Sequence, residues 1–161
     1  MVIDRAPLAG LVVCATAFSA DLLSKTLAVF QLPAGKVVYD PKPAELQWRV
    51  LMCAVALAVT VALAAIARRR GIGRIWGAWV GLGLLVAGVL ANGVSSYLWS
   101  RGVPDFLDPG GNDFWNLADF EIAIGLTGGI VSIAVTAALA YARERIGPEL
   151  PPSAETAPAQ S

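Results

Sequence analysis

The sequence predicts an all-α integral membrane protein of four transmembrane helices, with both termini inside and the site carried by the outward-facing connections. Apolar residues make up 57% of the 161-residue chain and charged residues 15%. The mean hydropathy is +0.65, which leaves too little polar surface for a soluble domain. Four apolar runs, at about 7–30, 50–67, 75–90 and 120–142, approach the roughly 20 residues that a bilayer-spanning helix needs. Lysine and arginine then cluster in alternate connections, as the retention of basic loops in the cytoplasm requires.

The first run, 7–30, contains Leu11-Val12-Val13-Cys14, a weak echo of a lipoprotein cleavage box. Val13 is not small, and the run exceeds the apolar core of about 7–15 residues found in secretory signals, so it is expected to remain as a helix. The second run, 50–67, ends on Arg68-Arg69-Arg70, with Arg74 just beyond. Together with Arg5 before the first run and Arg143 and Arg145 after the fourth, this cluster places both termini inside. The third run, 75–90, is the shortest and the richest in glycine. Gly73, Gly77 and Gly81, with Gly125 and Gly129 in the fourth run, have the small-residue spacing that lets helix backbones approach closely. Residues 1–146 therefore form the transmembrane domain. The Pro-, Ala- and Ser-rich stretch 147–161 reads as a disordered cytoplasmic tail.

Lys plus Arg and Asp plus Glu both number 12, so no basic surface suggests a nucleic-acid partner. There is no histidine, and the two cysteines, Cys14 and Cys53, lie singly inside apolar runs. The usual zinc and iron ligand sets are missing; no metal and no cofactor are expected, nor is a disulfide. Membrane lipids are the surroundings, and nothing demands more than a monomer.

The outward connections carry Asp40, Glu45, Asp105, Asp108, Asp113 and Asp119. Glu45, Asp108 and Asp113 are read as the complement of the positive-inside bias. The first run holds Asp21 and Lys25, four apart on one helical face with Ser24 beside them. Intramembrane charges cost on the order of 2.5–3.5 kcal/mol each, so each is a functional candidate by default. An ion pair with the lysine reaching back to the interface is the plain alternative. Asp105 and Asp119 bracket the start of the fourth run, and Asn116 precedes Asp119 by three. Two carboxyls brought close could not both ionise cheaply, which gives the acid and base of an aspartic protease. Helix capping by Asp119 is the ordinary alternative. Deeper in the second to fourth runs the polar residues noted are Thr60, Thr127, Ser132 and Thr136, too few for an ion conductor. Ser24 and Lys25 as a nucleophile and base are ill placed, because neighbouring helix residues point about 100° apart.

Asp21-Leu22-Leu23-Ser24-Lys25 resembles the D-x-x-(S/T)-K motif of the signal peptidase II family, the lipoprotein signal peptidases. Pro104-Asp105-Phe106-Leu107 resembles its V-x-D-F motif. Trp115-Asn116-Leu117-Ala118-Asp119, running on to Gly125, resembles F-N-x-A-D with its later glycine. The resemblance implies an aspartic endopeptidase of a bacterial-type cytoplasmic membrane, with its site near the extracytoplasmic face, that cuts lipid-modified precursors before a diacylglyceryl cysteine. Asp105 and Asp119 would be the catalytic pair, and Asp21, Lys25, Asn92 and Asn116 polar supports. Two departures stand out. Where the family has G-N-x-x-D-R, this chain has Ala91-Asn92-Gly93-Val94-Ser95-Ser96, leaving Arg101 as a possible substitute for the arginine. Its N-x-G-x-A-F segment is reduced to Tyr39-Asp40-Pro41-Lys42-Pro43-Ala44. A non-catalytic relative that binds lipidated peptides, or serves as a scaffold, is the alternative these losses suggest.

Overall fold

The computed structural model describes residues 5–33, 35–41, 46–69, 75–108, 110 and 113–146. Glu45, Arg70, Gly73, Arg74, the Lys42-Pro43-Ala44 remnant and the tail 147–161 lie outside them. The elements run α1 (Ala6–Gln31), β1 (Val38–Asp40), α2 (Leu46–Arg69), α3 (Trp76–Leu98), β2 (Val103–Asp105) and α4 (Leu117–Ile146). Pro7 opens α1, where its fixed φ suits a first helical turn and its missing N–H costs nothing. Among the described residues, α1, α3 and the Leu117–Ala142 part of α4 are long and apolar enough to cross a membrane, while the apolar part of α2, Val50–Ile66, is shorter. Leu11, Leu23, Ile124, Ile130 and Leu139 are exposed, as suits helices whose solvent is lipid. This is a mostly helical membrane protein.

The centre of the molecule is α3, packed between α1 and α4, with α2 resting on it. Its buried face is made of Ala78, Gly81, Gly83, Leu85, Gly88, Ala91 and Asn92, among others. Glycine permits the close approach. A Cβ added at Gly81 would stand 2.7 Å from the Gly125 carbonyl oxygen and 2.8 Å from the Gly129 backbone, and one at Gly83 would overlap the Gly10 carbonyl. The packing role expected of Gly81, Gly125 and Gly129 is thus realised, and Gly10 and Gly83 extend it to α1. Cys14 and Cys53 are free. An apolar cavity of about 400 Å³ lies between α2, α3 and α4, lined by Leu51, Val55, Leu82, Leu85, Leu126 and Ile130 among others.

Three features differ from the sequence expectation. First, α3 runs on to Leu98 instead of ending near residue 90, which moves Asn92 and Ser95 from a connection into a helix. Asn92 bonds across to α1 and α4 and the Ser96 hydroxyl donates to the Gly93 carbonyl, whereas the buried Ser95 hydroxyl has no partner. Second, α4 starts at Leu117, three residues early, because Asp119 caps it. Third, the fold is not purely helical, since β1 and β2 pair antiparallel with Val38 opposite Asp105, Tyr39 opposite Pro104 and Asp40 opposite Val103. Gly102 turns the chain into β2 at φ +114° and lies against the Asp40 carbonyl, where a Cβ would overlap it. Strands of three residues carry no pattern that alternation can reveal.

Candidate active site

A single bridge, Leu107 opposite Trp115, brings the loop before α4 beside the end of β2. The backbone N–H groups of Phe106 and Leu107 both donate to the Trp115 carbonyl, at 2.9 and 2.8 Å, and the Trp115 N–H donates back to the Leu107 carbonyl at 2.9 Å. The Trp115 ring then rests on Phe120, with centroids 5.1 Å apart. Asn116, the next residue, is thereby delivered beside Asp105 at the end of β2. Its side-chain Nδ2 donates to Asp105 Oδ1 at 2.5 Å.

Asn116 also stands immediately before α4, and its backbone N–H donates to Asp119 Oδ2 at 3.0 Å. This is one half of a capping box, in which the third helical residue reaches back to the residue before the helix. The capping role weighed for Asp119 is therefore present. It leaves lone pairs over, because a carboxylate offers about four acceptor positions. Asp119 Oδ1 accepts from Asn92 Nδ2 of α3 at 3.1 Å. One residue, Asn116, thus touches both aspartates, one through its side chain and the other through its backbone.

Behind Asp119 stands the charged pair of α1. Lys25 Nζ lies 2.7 Å from Asp21 Oδ2, both side chains being fully buried, and donates to Asn92 Oδ1 at 2.6 Å. The lysine does not reach back to the interface; it points inward. Because Asn92 Oδ1 is taken by Lys25, its amide nitrogen must face Asp119. Asp21 Oδ1 in turn accepts the Ala118 N–H at 2.8 Å, so an anion sits on the first turn of α4 where the helix dipole favours it. Residues 97 positions apart in sequence are joined there. Ser24 takes no part: its hydroxyl donates to the Asp21 carbonyl.

Burial pushes the Asp105 carboxyl up from the ordinary 3.8 to about 6. The Asn116 hydrogen bond pulls it down, the Asp119 charge pushes it up, Lys25 pulls it down and Asp40 pushes it up. Asp105 is 9% exposed, while Asp119 is only partly buried. The arrangement can hold a proton on one carboxyl near neutral pH and accept one on the other.

All six residues expected as catalytic or supporting, Asp21, Lys25, Asn92, Asp105, Asn116 and Asp119, are joined in one connected network. Arg101 is not part of it. It is exposed, with its guanidinium 5.8 Å from the Tyr39 ring centroid, and no hydrogen bond links it to either aspartate among the described residues. Ser95, in place of the family's aspartate, is fully buried, and its hydroxyl has no partner. Glu121 is a further buried acid, outside the motifs that mark the other six. It lies in the fourth apolar run, is 6% exposed, and its Oε2 has no partner. An ionisable residue inside an apolar run was the signal that could have found it.

Residues 37–135 match the family model of signal peptidase (SPase) II. The match takes in Asn92, Asp105, Asn116 and Asp119 and begins after Asp21 and Lys25. No curated protein and no solved structure matches the chain. With more than half of its length matching that model, the chain belongs to the signal peptidase II family.

Proposed function

We propose that this protein is a membrane aspartic endopeptidase that removes signal peptides from lipid-modified precursors, with Asp105 and Asp119 as the catalytic pair. The observation that carries the reading is the placement of Asn116, which holds both carboxyls at once, one by its side-chain amide and the other by its backbone N–H. In this reading Asp105, pushed up to about 6, brings the proton to the scissile carbonyl while Asp119 takes one from the attacking water. Asp21, Lys25 and Asn92 form the support that aims Asp119. The substrate class, a diacylglyceryl-cysteine precursor, comes from the family.

Four spans, with α2 as the second, and both termini inside complete the proposal. That topology puts the β1–β2 pair and the aspartates at the extracytoplasmic face, where a translocated precursor presents its cleavage site. Serines in place of the family's Asp-Arg pair, and Arg101 turned to Tyr39, favour a non-catalytic binder as the second reading.

The test is to incubate purified protein with a diacylglyceryl-modified precursor and follow release of the signal peptide. Asp105→Asn and Asp119→Asn are each expected to lower the rate at least about 100-fold, the low end of what a positioned acid or base contributes. Cleavage that survives either change overturns the pair. No cleavage by the wild type beside an active family member favours the binder.

A further inference from the structure

The apolar cavity between α2, α3 and α4 lies directly beneath the polar network. Asn92 of α3 donates to Asp119 of α4 at 3.1 Å, and the two helices run antiparallel from there, with Gly88 at Ala118 and Gly81 at Gly125 and Gly129. A step of seven residues, nearly two turns, returns to the same face of a helix. On α3 that step leads from Asn92 to Leu85 and then Ala78; on α4 it leads from Asp119 to Leu126 and then Ile133. These four residues line the cavity. At 1.5 Å per residue they stand about 10 and about 21 Å below the Asn92–Asp119 contact.

Ile75 and Ala78 pack with Leu63, Ala64, Trp79 and Ile133 to form a floor. Val55 of α2 and Ile130 of α4 line the cavity and are exposed, so it is a slot, closed below and open sideways to lipid. Among the described residues its lining is apolar apart from Thr60 and the Trp48 indole. Shape then selects the occupant. A spanning helix needs a path through both leaflets, and the floor stops it. An acyl chain occupies one leaflet, about 15 Å of the roughly 30 Å hydrocarbon thickness, and ends where the floor is. We propose that the slot receives one acyl chain of the diacylglyceryl cysteine and so seats the scissile bond against Asp105 and Asp119. The occupant rests on the substrate class of the reading above. Lipid tails are as apolar as the lining, so entry gains little transfer energy; the slot orients the precursor more than it holds it.

Photolabelling reads the occupant without cleavage. The probe is a diacylglyceryl-cysteine peptide with a diazirine midway along one acyl chain, added to the full chain in lipid nanodiscs. Leu82 and Leu85 are buried on α3 and line the slot, so adducts on them are expected in the wild type. Gly129 lines the slot too, and nothing stands within 4 Å of its would-be Cβ. Gly129→Phe is therefore expected to fill the slot and abolish those adducts. Gly128 has the same open Cβ but is not among the lining residues, and Gly128→Phe is expected to keep them. Should Gly129→Phe not fold, Val55→Trp blocks the slot from α2. Labelling confined to lipid-facing residues such as Leu11 and Leu139 overturns the proposal, as do adducts that survive the blocking variants. So does a phospholipid carrying the same diazirine that labels Leu82 and Leu85 undiminished by the lipopeptide, or labelling of them by a diazirine placed in the signal sequence of a whole precursor. In turnover, Gly129→Phe is expected to lower kcat/KM about 100-fold, as a misplaced scissile bond does. A wild type that labels at Leu82 and Leu85 but never cleaves removes the peptidase reading and keeps the slot.

Discussion

Asp105 carries a consequence for stability as well as for chemistry. Its carboxyl is held at about 6 in the fold against an ordinary 3.8, so between those values the native state keeps a proton that the unfolded chain releases. Stability from this group is therefore full below about pH 4 and is lost as pH rises through about 6. Asp105→Asn removes the penalty, and its thermal midpoint in detergent is expected to gain on the wild type as pH rises across that window, while cleavage disappears. Asn116 pulls the same carboxyl down, so Asn116→Ala should move the alkaline limb of the kcat/KM profile, the one set by the group that must stay protonated, to higher pH. A profile that stays in place would show that the Asn116 amide does not govern Asp105. At Lys25, Lys25→Met strands Asp21 without its counter-charge. Breaking a buried pair in this way costs about 3–5 kcal/mol, which equilibrium unfolding in micelles would measure.

Between elements, glycine contacts along α3 set how near the polar groups come. Gly83 lies on Gly10 of α1, and Gly81 on Gly125 and Gly129 of α4; the Lys25–Asn92–Asp119 chain crosses the same two interfaces. Gly83→Ala forces a methyl against the Gly10 carbonyl. It is expected to cost about 1–3 kcal/mol, as overpacking does, and to lower activity by parting α1 from α3. Gly128→Ala is the contrast, because nothing stands within 4 Å of its would-be Cβ. There the helix propensity of alanine should leave stability unchanged or raise it by up to about 1 kcal/mol. Equal losses at the two positions would refute the packing account. The capping of α4 works at this scale too. Asp119 and Asp21 accept the Asn116 and Ala118 N–H groups, so the site and the start of α4 form together.

For the whole molecule, the proposed orientation puts the aspartates outside and both termini inside. A single cysteine introduced at Asp108, in a background with Cys14 and Cys53 replaced by serine, should react with a membrane-impermeant thiol reagent added to intact cells. One placed at the C-terminal Ser161 should react only after the cells are opened. The reverse pattern would invert the topology and move the site to the cytoplasmic side.

Much of this was legible in the sequence because membranes impose coarse rules. A lipid-facing helix must be apolar over its whole length, which made α1, α3 and α4 visible as runs, and an ion inside such a run is conspicuous, which singled out Asp21 and Lys25. Motif spacing added Asn92, Asp105, Asn116 and Asp119. The sequence could not reveal what lies between them. The inward turn of Lys25, the pairing of β1 with β2 across a whole helix pair, the early start of α4 and the burial of Glu121 all depend on partners distant in the chain. Local patterning determines which segments are apolar and which residues could carry charge. Only tertiary contact decides which donors meet which carboxyls, because a buried polar group takes its partner from whichever helix packing brings beside it.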